Sequence, residues 1–287
     1  MAKPSTAVAK TATGVATTTP QMPDFMKGKQ SKGLNQIDQR DVEMPRIILL
    51  QGTHDQVNTF DSAVAGQFWH SVADISLGAE LKIVVIMVKK SVKLWGPDGV
   101  GGLLAVSDDM ETWSRGGNTQ HTVKIKNVKE PQVWDTKGSV SESGLLDWGT
   151  SIKGDKDSQP AATLTYDLLV ALPDFPDLGY GVMTLSRSGM KPGRKFLGKL
   201  KIANAPSYGL QFKVSSKSEG EGQQSYFVPQ FIADGFVMDQ EAFNEYEAAC
   251  DRFTAEGFEV KGDDPDANAG GGAADVAGAN ARTGGKI

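Results

Sequence analysis

Cysteine and histidine are scarce in this chain, and their scarcity excludes several kinds of site. Cys250 is the one cysteine, so no internal disulfide can form, which suits a reducing cytoplasm. The three histidines, His54, His70 and His121, have no neighbours at metal-ligand spacing. We therefore expect no zinc site.

Long apolar runs and catalytic motifs are missing as well. No apolar stretch approaches the about 20 residues that cross a bilayer, so we predict no contact with a membrane. Gly96–Gly102 lacks the Gly-Lys-Ser/Thr ending of a phosphate loop. The pairs Asp108-Asp109 and Asp155/Asp157 stand where aspartate is a standard turn residue, so a Mg²⁺-dependent nuclease is the least favoured hypothesis. We predict a binding protein with no enzymatic activity and no cofactor.

Acidic residues are absent from two windows, although the protein as a whole is acidic. The formal net charge is -5 and the isoelectric point is near 5.3. Between Leu178 and Ser218 there are eight lysines and arginines and no Asp or Glu. Between Leu81 and Pro97 there is again no acid, and four lysines accompany Trp95. Basic windows in an acidic protein predict an anionic partner.

Both basic windows have the pattern of β-strands. Leu81–Trp95 begins as a β-branched run, and Gly181–Leu185 and Tyr208–Val214 are shorter, partly alternating runs. Glycine and proline in Ser188–Gly193 signal a turn, and Arg194–Lys201 interleaves cations with apolar residues. The pattern predicts strands that present cations with aromatic rings between them.

Such a surface suits single-stranded nucleic acid. Phosphates need positive charge, and each base that stacks on a ring contributes roughly 1–3 kcal/mol. We predict phosphate contacts from Lys89, Lys90, Lys93, Arg187, Lys191, Arg194, Lys195, Lys199 and Lys201, and base stacking on Trp95, Phe196 and Tyr208. A solvated sheet edge protected by lysines explains the same pattern.

The remaining pattern predicts one mainly β domain over residues 44–258. Ala162–Leu172 has the composition of a buried strand, and Pro229 confines Gln224–Ile232 to a sheet edge. The one clear helix spans residues 239–256, with Asp239 as its N-cap.

Low-complexity segments flank this domain, and a long insertion interrupts it. We predict that residues 1–43 and the Gly/Ala-rich residues 259–287 are disordered. The composition of residues 110–159 predicts a long loop or an inserted hairpin region. Trp113, Trp134 and Trp148 are expected to form local cores there rather than stacking platforms.

Acidic residues dominate the C-terminal part of the chain. From Glu219 to Asp275 they far outnumber Arg252 and Lys261. Such a segment can shield a basic face or recruit basic partners. A helix with a solvated acidic outer face explains it equally well.

Four segments carry a family resemblance: Pro45–Gly52, Ser143–Gly149, Pro160–Tyr166 and Ala205–Phe212. Together they resemble a family of tailed-bacteriophage proteins from early or replication gene blocks, whose members are often left uncharacterised or are called single-stranded DNA-binding proteins. The resemblance implies an antiparallel, OB-like β-barrel that coats single-stranded DNA during phage replication or recombination. It also implies a place in the cytoplasm of the bacterial host, with the two basic windows as the binding face.

The end of the chain departs from that family. Phage single-stranded DNA-binding proteins often close with an acidic tip and a terminal aromatic residue, whereas this chain ends Ala281–Ile287. Docking of phage or host replication proteins would therefore fall to Glu241–Asp266.

A second hypothesis is a structural or virion-associated phage protein. Its basic sheet would make subunit contacts, and the sequence is compatible with a homo-oligomer. The DNA-binding hypothesis requires that the two basic windows lie side by side on one open face, with exposed rings among them.

Overall fold

The computed structural model describes residues 42–97, 102–220 and 225–258, and the chain divides into the units Met1–Val42 and Glu43–Ile287. The predicted tails therefore lie outside the described residues, apart from positions 42 and 43. All elements described below belong to the second unit.

The described residues form eleven strands and four α-helices. The strands are β1 (Ile47–Leu49), β2 (Phe68–His70), β3 (Ile75–Gly78), β4 (Glu80–Trp95), β5 (Leu103–Ser107), β6 (Gln120–Val123), β7 (Gln132–Asp135), β8 (Ala162–Ala171), β9 (Tyr180–Leu185), β10 (Leu210–Glu219) and β11 (Tyr226–Phe236). The helices are α1 (Asp55–Thr59), α2 (Val140–Ser143), α3 (Met190–Ala203) and α4 (Gln240–Glu256).

The central sheet is antiparallel and has the strand order β11-β10-β4-β8-β9, with β5 paired to the far end of β4. The central strand of this sheet is β4, which is 16 residues long. The long β-branched run in the sequence predicted this strand. The prediction of a mainly β, antiparallel fold is confirmed. Within the described residues no ladder joins β11 to β9, so the sheet is open and an OB-like closed barrel is not confirmed.

The two faces of this sheet carry different cores, because successive side chains of a strand point to opposite sides. Ile83 and Val85 face a core that contains Phe196 of α3. Val84 and Ile86 face a second core that contains Phe253 of α4. The two long helices therefore cover opposite faces of one sheet.

Helix α3 corrects the prediction of a turn and a strand over residues 188–201. Its proline, Pro192, lies in the first turn, where a missing backbone N–H costs least. Gly193 lets the helix approach β9, since a Cβ there would lie 2.9 Å from Leu185 Cδ1. Asn204 ends the helix in the left-handed conformation.

Helix α4 begins where its N-cap predicted. The Asp239 side chain accepts hydrogen bonds from the backbone N–H groups of Glu241 and Ala242. Gly257 follows its last turn at positive φ. Among the described residues, no helix is both long and apolar enough to cross a membrane.

The insertion between β5 and β8 holds the hairpin β6–β7 and has its own small core. Trp113 and Trp134 are buried there against Val92 and Leu94 of β4. Trp148 is 70% exposed and belongs to no core. The local-core prediction therefore describes two of the three tryptophans.

Candidate nucleic-acid interface

The outer face of α3 concentrates several cations on one exposed surface. The helix has five lysines and arginines and no acid in its 14 residues. Phe196 faces the sheet and is 1% exposed, with Leu200 beside it in the core. Helical spacing turns the cations to the other side. Those exposed there are Lys191, Arg194, Lys195 and Lys201, and Arg187 is exposed in the turn that precedes the helix.

Lys199 has a structural role that sequence reasoning missed. Its Nζ donates a hydrogen bond of 2.6 Å to the backbone carbonyl of Phe231 on strand β11. That strand is the edge of the central sheet, and its carbonyls would otherwise invite pairing with another strand. Lys199 therefore ties α3 to the sheet, and only its remaining donors are available to a phosphate.

Gln51 protects the same edge strand further along. Its side-chain amide accepts from Phe227 N at 2.8 Å and donates to Phe227 O at 3.0 Å. Pro229, between the two protected positions, has no N–H to offer. The sequence indicated an edge strand through Pro229 but gave no sign that a glutamine 176 residues away would cover it.

The basic window of β4 does not lie beside α3 as predicted. Lys93 is buried and its Nζ lies 2.7 Å from Asp167 Oδ2, with side-chain exposures of 7% and 3%. The placement of Lys93 as a phosphate contact is therefore corrected. Thr184 also donates to Asp167, which completes a buried network between β4, β8 and β9.

Lys89 points to the face that α4 covers. It pairs with Asp108 at 3.0 Å and lies near the Phe258 ring. Lys90 lies on the other side of the strand, opposite Tyr166, whose ring packs on the core beneath α3. Of the three β4 cations in the predicted site, Lys90 alone is exposed on the face that carries α3.

The three rings predicted to stack on bases are covered in this structure. Trp95 is 8% exposed, and Phe196 stacks on Phe231 with ring centroids 4.2 Å apart. Tyr208 is half-buried on the side of α4, where its hydroxyl donates to Glu247 at 3.0 Å. That hydrogen bond raises the pKa of Tyr208. The expectation of open rings among the cations is wrong, because Phe196 belongs to the core beneath α3, Tyr208 packs against the core beneath α4, and Trp95 is buried.

Three exposed rings were not among those predicted to stack on bases. They are Trp148 in the insertion, Phe236 at the end of β11 and Tyr226 at its start. Pro229 indicates an edge strand, and an edge strand has fewer neighbours to cover its side chains, so the sequence held a signal for the exposure of Tyr226.

One comparison with known proteins assigns a family. The family model of the Pam3 phage gp34-like protein matches residues 12–259, which is well over half of the chain. The chain belongs to this family. It is a bacteriophage protein, as the resemblance predicted. No curated protein and no solved structure matches the chain.

In each acidic pair considered as a metal site, one carboxylate accepts hydrogen bonds from its own turn. Asp109 accepts hydrogen bonds from Thr112 and from Glu111 N, and those from Thr112 contribute most to holding the pKa of Asp109 far below its usual range. Asp155 accepts from Asp157 N. In the described parts of the chain, no group of three or more His, Cys, Asp or Glu side chains could hold a metal ion.

A cleft beside the start of α3 is too small for a nucleobase. It encloses about 60 Å³ between β1, β9 and β11, and its polar lining includes Arg46, Gln51, His54 and Ser186. Small-molecule sites usually enclose about 300–1,000 Å³. The cations of α3 therefore offer an open surface rather than a pocket.

Proposed function

We propose that this phage protein binds single-stranded DNA, without catalysis, through the cationic outer face of α3. The role would be to coat DNA during phage replication or recombination in the host cytoplasm. One observation carries the proposal: α3 has five cations and no acid, four of these cations are exposed, and Phe196 fixes the other side of the helix to the sheet. A rigid row of cations is the arrangement that a phosphate backbone requires.

The binding mode would rest on phosphates more than on stacking. Lys191, Arg194, Lys195 and Lys201 are exposed on the helix, with Arg187 at its start. Five phosphate contacts give a slope of log K against log[salt] of about -3.5 for a single strand. Base stacking would fall to the exposed rings, of which Trp148 and Phe236 are the most open.

A titration of labelled oligo-dT by fluorescence anisotropy, over a series of salt concentrations, tests this proposal. The informative variant changes Lys191, Arg194 and Lys195 to Gln, which removes three of the five contacts. Its salt slope should fall to about -1.4, with much weaker binding at low salt. The matched control changes the exposed Lys124, Lys126 and Lys129 to Gln, which alters the net charge equally.

The two variants separate local recognition from general charge. If binding runs through α3, the control binds like the wild type. Equal weakening in both variants, or no binding of oligo-dT by the wild type at low salt, would contradict the proposal. If the wild type binds a duplex of the same length with equal affinity, the proposal is reduced to DNA binding with no preference for single strands over duplexes.

A structural or virion-associated role is the second candidate. It is favoured by two exposed apolar side chains at the end of β11 and just beyond it, Phe236 and Met238. Exposed apolar side chains that lie close together are typical of protein interfaces. Mass spectrometry of purified phage particles tests this role: a stoichiometric copy number supports it, and absence from the particles contradicts it.

A further inference from the structure

We propose that α3 of one copy of this protein binds α4 of a second copy, and that the contact can repeat from copy to copy. The proposal goes beyond DNA binding and starts from the placement of the two helices. Phe196 fixes α3 to one face of the central sheet, and Ala249 and Phe253 fix α4 to the other. Within one copy, α4 therefore cannot cover the cationic face of α3.

The outer face of α4 has a central row of small side chains. Ala248 is exposed, with Asn244 one turn before it and Ala255 two turns after it. Helical spacing places acidic residues on both sides of this row. Glu247 and Asp251 lie on one side, and on the other side lie Glu241, Glu245 and Glu256. Arg252 is the one cation of the helix.

The outer face of α3 has the complementary arrangement. Gly198 is exposed at its centre, and a Cβ at this position would meet nothing within 4 Å. Arg194 and Lys195 stand one turn before it, and Lys201 one turn after it. Glycine on an exposed helix face lowers helix stability by about 1 kcal/mol relative to alanine. We therefore expect the absence of a side chain at Gly198 to serve close contact with another molecule.

Packing of the two helices would use both features. Gly198 on α3 and Ala248 on α4 would let the two helices approach closely where they cross, and the charged rows would then face each other with opposite sign. Ile202, which is 85% exposed on α3 beside Gly198, would be covered. Exposed ion pairs contribute only about 0–1 kcal/mol each, so the contact should be weak and sensitive to salt.

The symmetry of the contact follows from the opposite placement of the helices. Each copy offers α4 to one neighbour and α3 to another, so the interface is heterologous and does not close as a two-fold dimer does. A polyanion on α3 would occupy the same surface as a neighbour's α4. DNA and self-association would then compete for one site.

Sedimentation velocity without nucleic acid tests the proposal independently of DNA binding. At about 0.05 M salt, the wild type should show concentration-dependent growth beyond a dimer, and at about 0.5 M it should be monomeric. One variant removes three of the five cations of α3 through Lys191→Gln, Lys195→Gln and Lys201→Gln. The other removes three of the five acids of α4 through Glu241→Gln, Asp251→Asn and Glu256→Gln, and leaves Glu245 and Glu247 bonded to Tyr180 and Tyr208.

Each variant alone should be monomeric, with an association constant at least about tenfold lower than that of the wild type. A mixture of the two should form a 1:1 dimer that grows no further, because one copy keeps a functional α4 and the other a functional α3. The Lys124, Lys126 and Lys129 control should associate like the wild type. Growth of either variant alone, a monomeric mixture, or a monomeric wild type at low salt would overturn the proposal.

Discussion

The sequence pattern predicts that Lys93 contacts phosphate, whereas the structure buries it in a pair with Asp167. A variant of Lys93 tests which of these two placements is right. The prediction is that Lys93→Met destabilises the protein without changing the DNA affinity of the folded molecules. Lys93 Nζ and Asp167 Oδ2 are 2.7 Å apart, and both side chains are almost fully buried. Removal of one partner leaves an uncompensated charge in the interior, which costs about 3–5 kcal/mol.

The loss should be visible in both thermal and chemical unfolding. For a domain of this size, about 3–5 kcal/mol corresponds to a fall in Tm of about 6–20 °C. Urea unfolding should give the same loss of free energy. The double variant Lys93→Met/Asp167→Asn should recover most of it, because no charge remains and the Asn carbonyl can still accept from Thr184. Unchanged stability together with weaker oligo-dT binding would show that Lys93 is a surface contact and refute this reasoning.

Three further predictions concern single side chains. Burial lowers the pKa of His70 below its ordinary value of 6.5. The unfolded chain therefore takes up the proton first as pH falls, and the free energy of unfolding should decrease below about pH 6.5. The variant His70→Asn keeps a hydrogen-bond acceptor for Ala73 N, and its urea midpoint should depend less on pH than that of the wild type. Gly198→Ala should raise the free energy of unfolding by about 0.5–1 kcal/mol, since the site is exposed and helical; a loss measured by urea unfolding would contradict the open space above it. Gln51→Ala should cost about 1–3 kcal/mol and increase aggregation, because Phe227 loses both hydrogen-bond partners at the sheet edge; light scattering that matches the wild type would contradict an edge-protecting role.

The strands with dense β-branched residues could be predicted from the sequence, and the helix with a clear cap could be predicted too. β4 and β8 are apolar over most of their length, and β11 carries its proline at a sheet edge. Helix α4 has a capping aspartate and a regular apolar stripe. These signals are local, so they do not depend on the partner that each element meets.

Helix α3 could not be recognised by the same local signals. Its glycines and its proline favour a turn when read alone, and its cations alternate with apolar residues over a short stretch. The fold overrides these preferences, because Gly193 permits close packing on Leu185 and Phe196 fills the space between Phe212 and Phe231. The helical spacing of Phe196, Leu197 and Leu200 was present in the sequence as a competing signal.

The sequence indicated which cations of residues 187–201 share a surface, but not those of β4. Apart from Lys199, the cations of residues 187–201 lie on one exposed surface, formed by α3 and the turn before it. The β4 cations divide between two faces, because neighbouring residues of a strand point apart; Lys90 therefore lies opposite to Lys89 and Lys93. The partner of Lys93 is 74 residues distant along the chain, and no local pattern reveals it.

Lysine footprinting tests the proposed DNA-binding face most directly. The protein is acetylated with and without oligo-dT at low salt, and the modified lysines are quantified by mass spectrometry. Lys191, Lys195 and Lys201 should be protected by oligo-dT, Lys124, Lys126 and Lys129 should react equally in both samples, and Lys93 should stay unreactive throughout. Protection of the second group, or full reactivity of the first group when oligo-dT is bound, would show that α3 is not the DNA-binding surface.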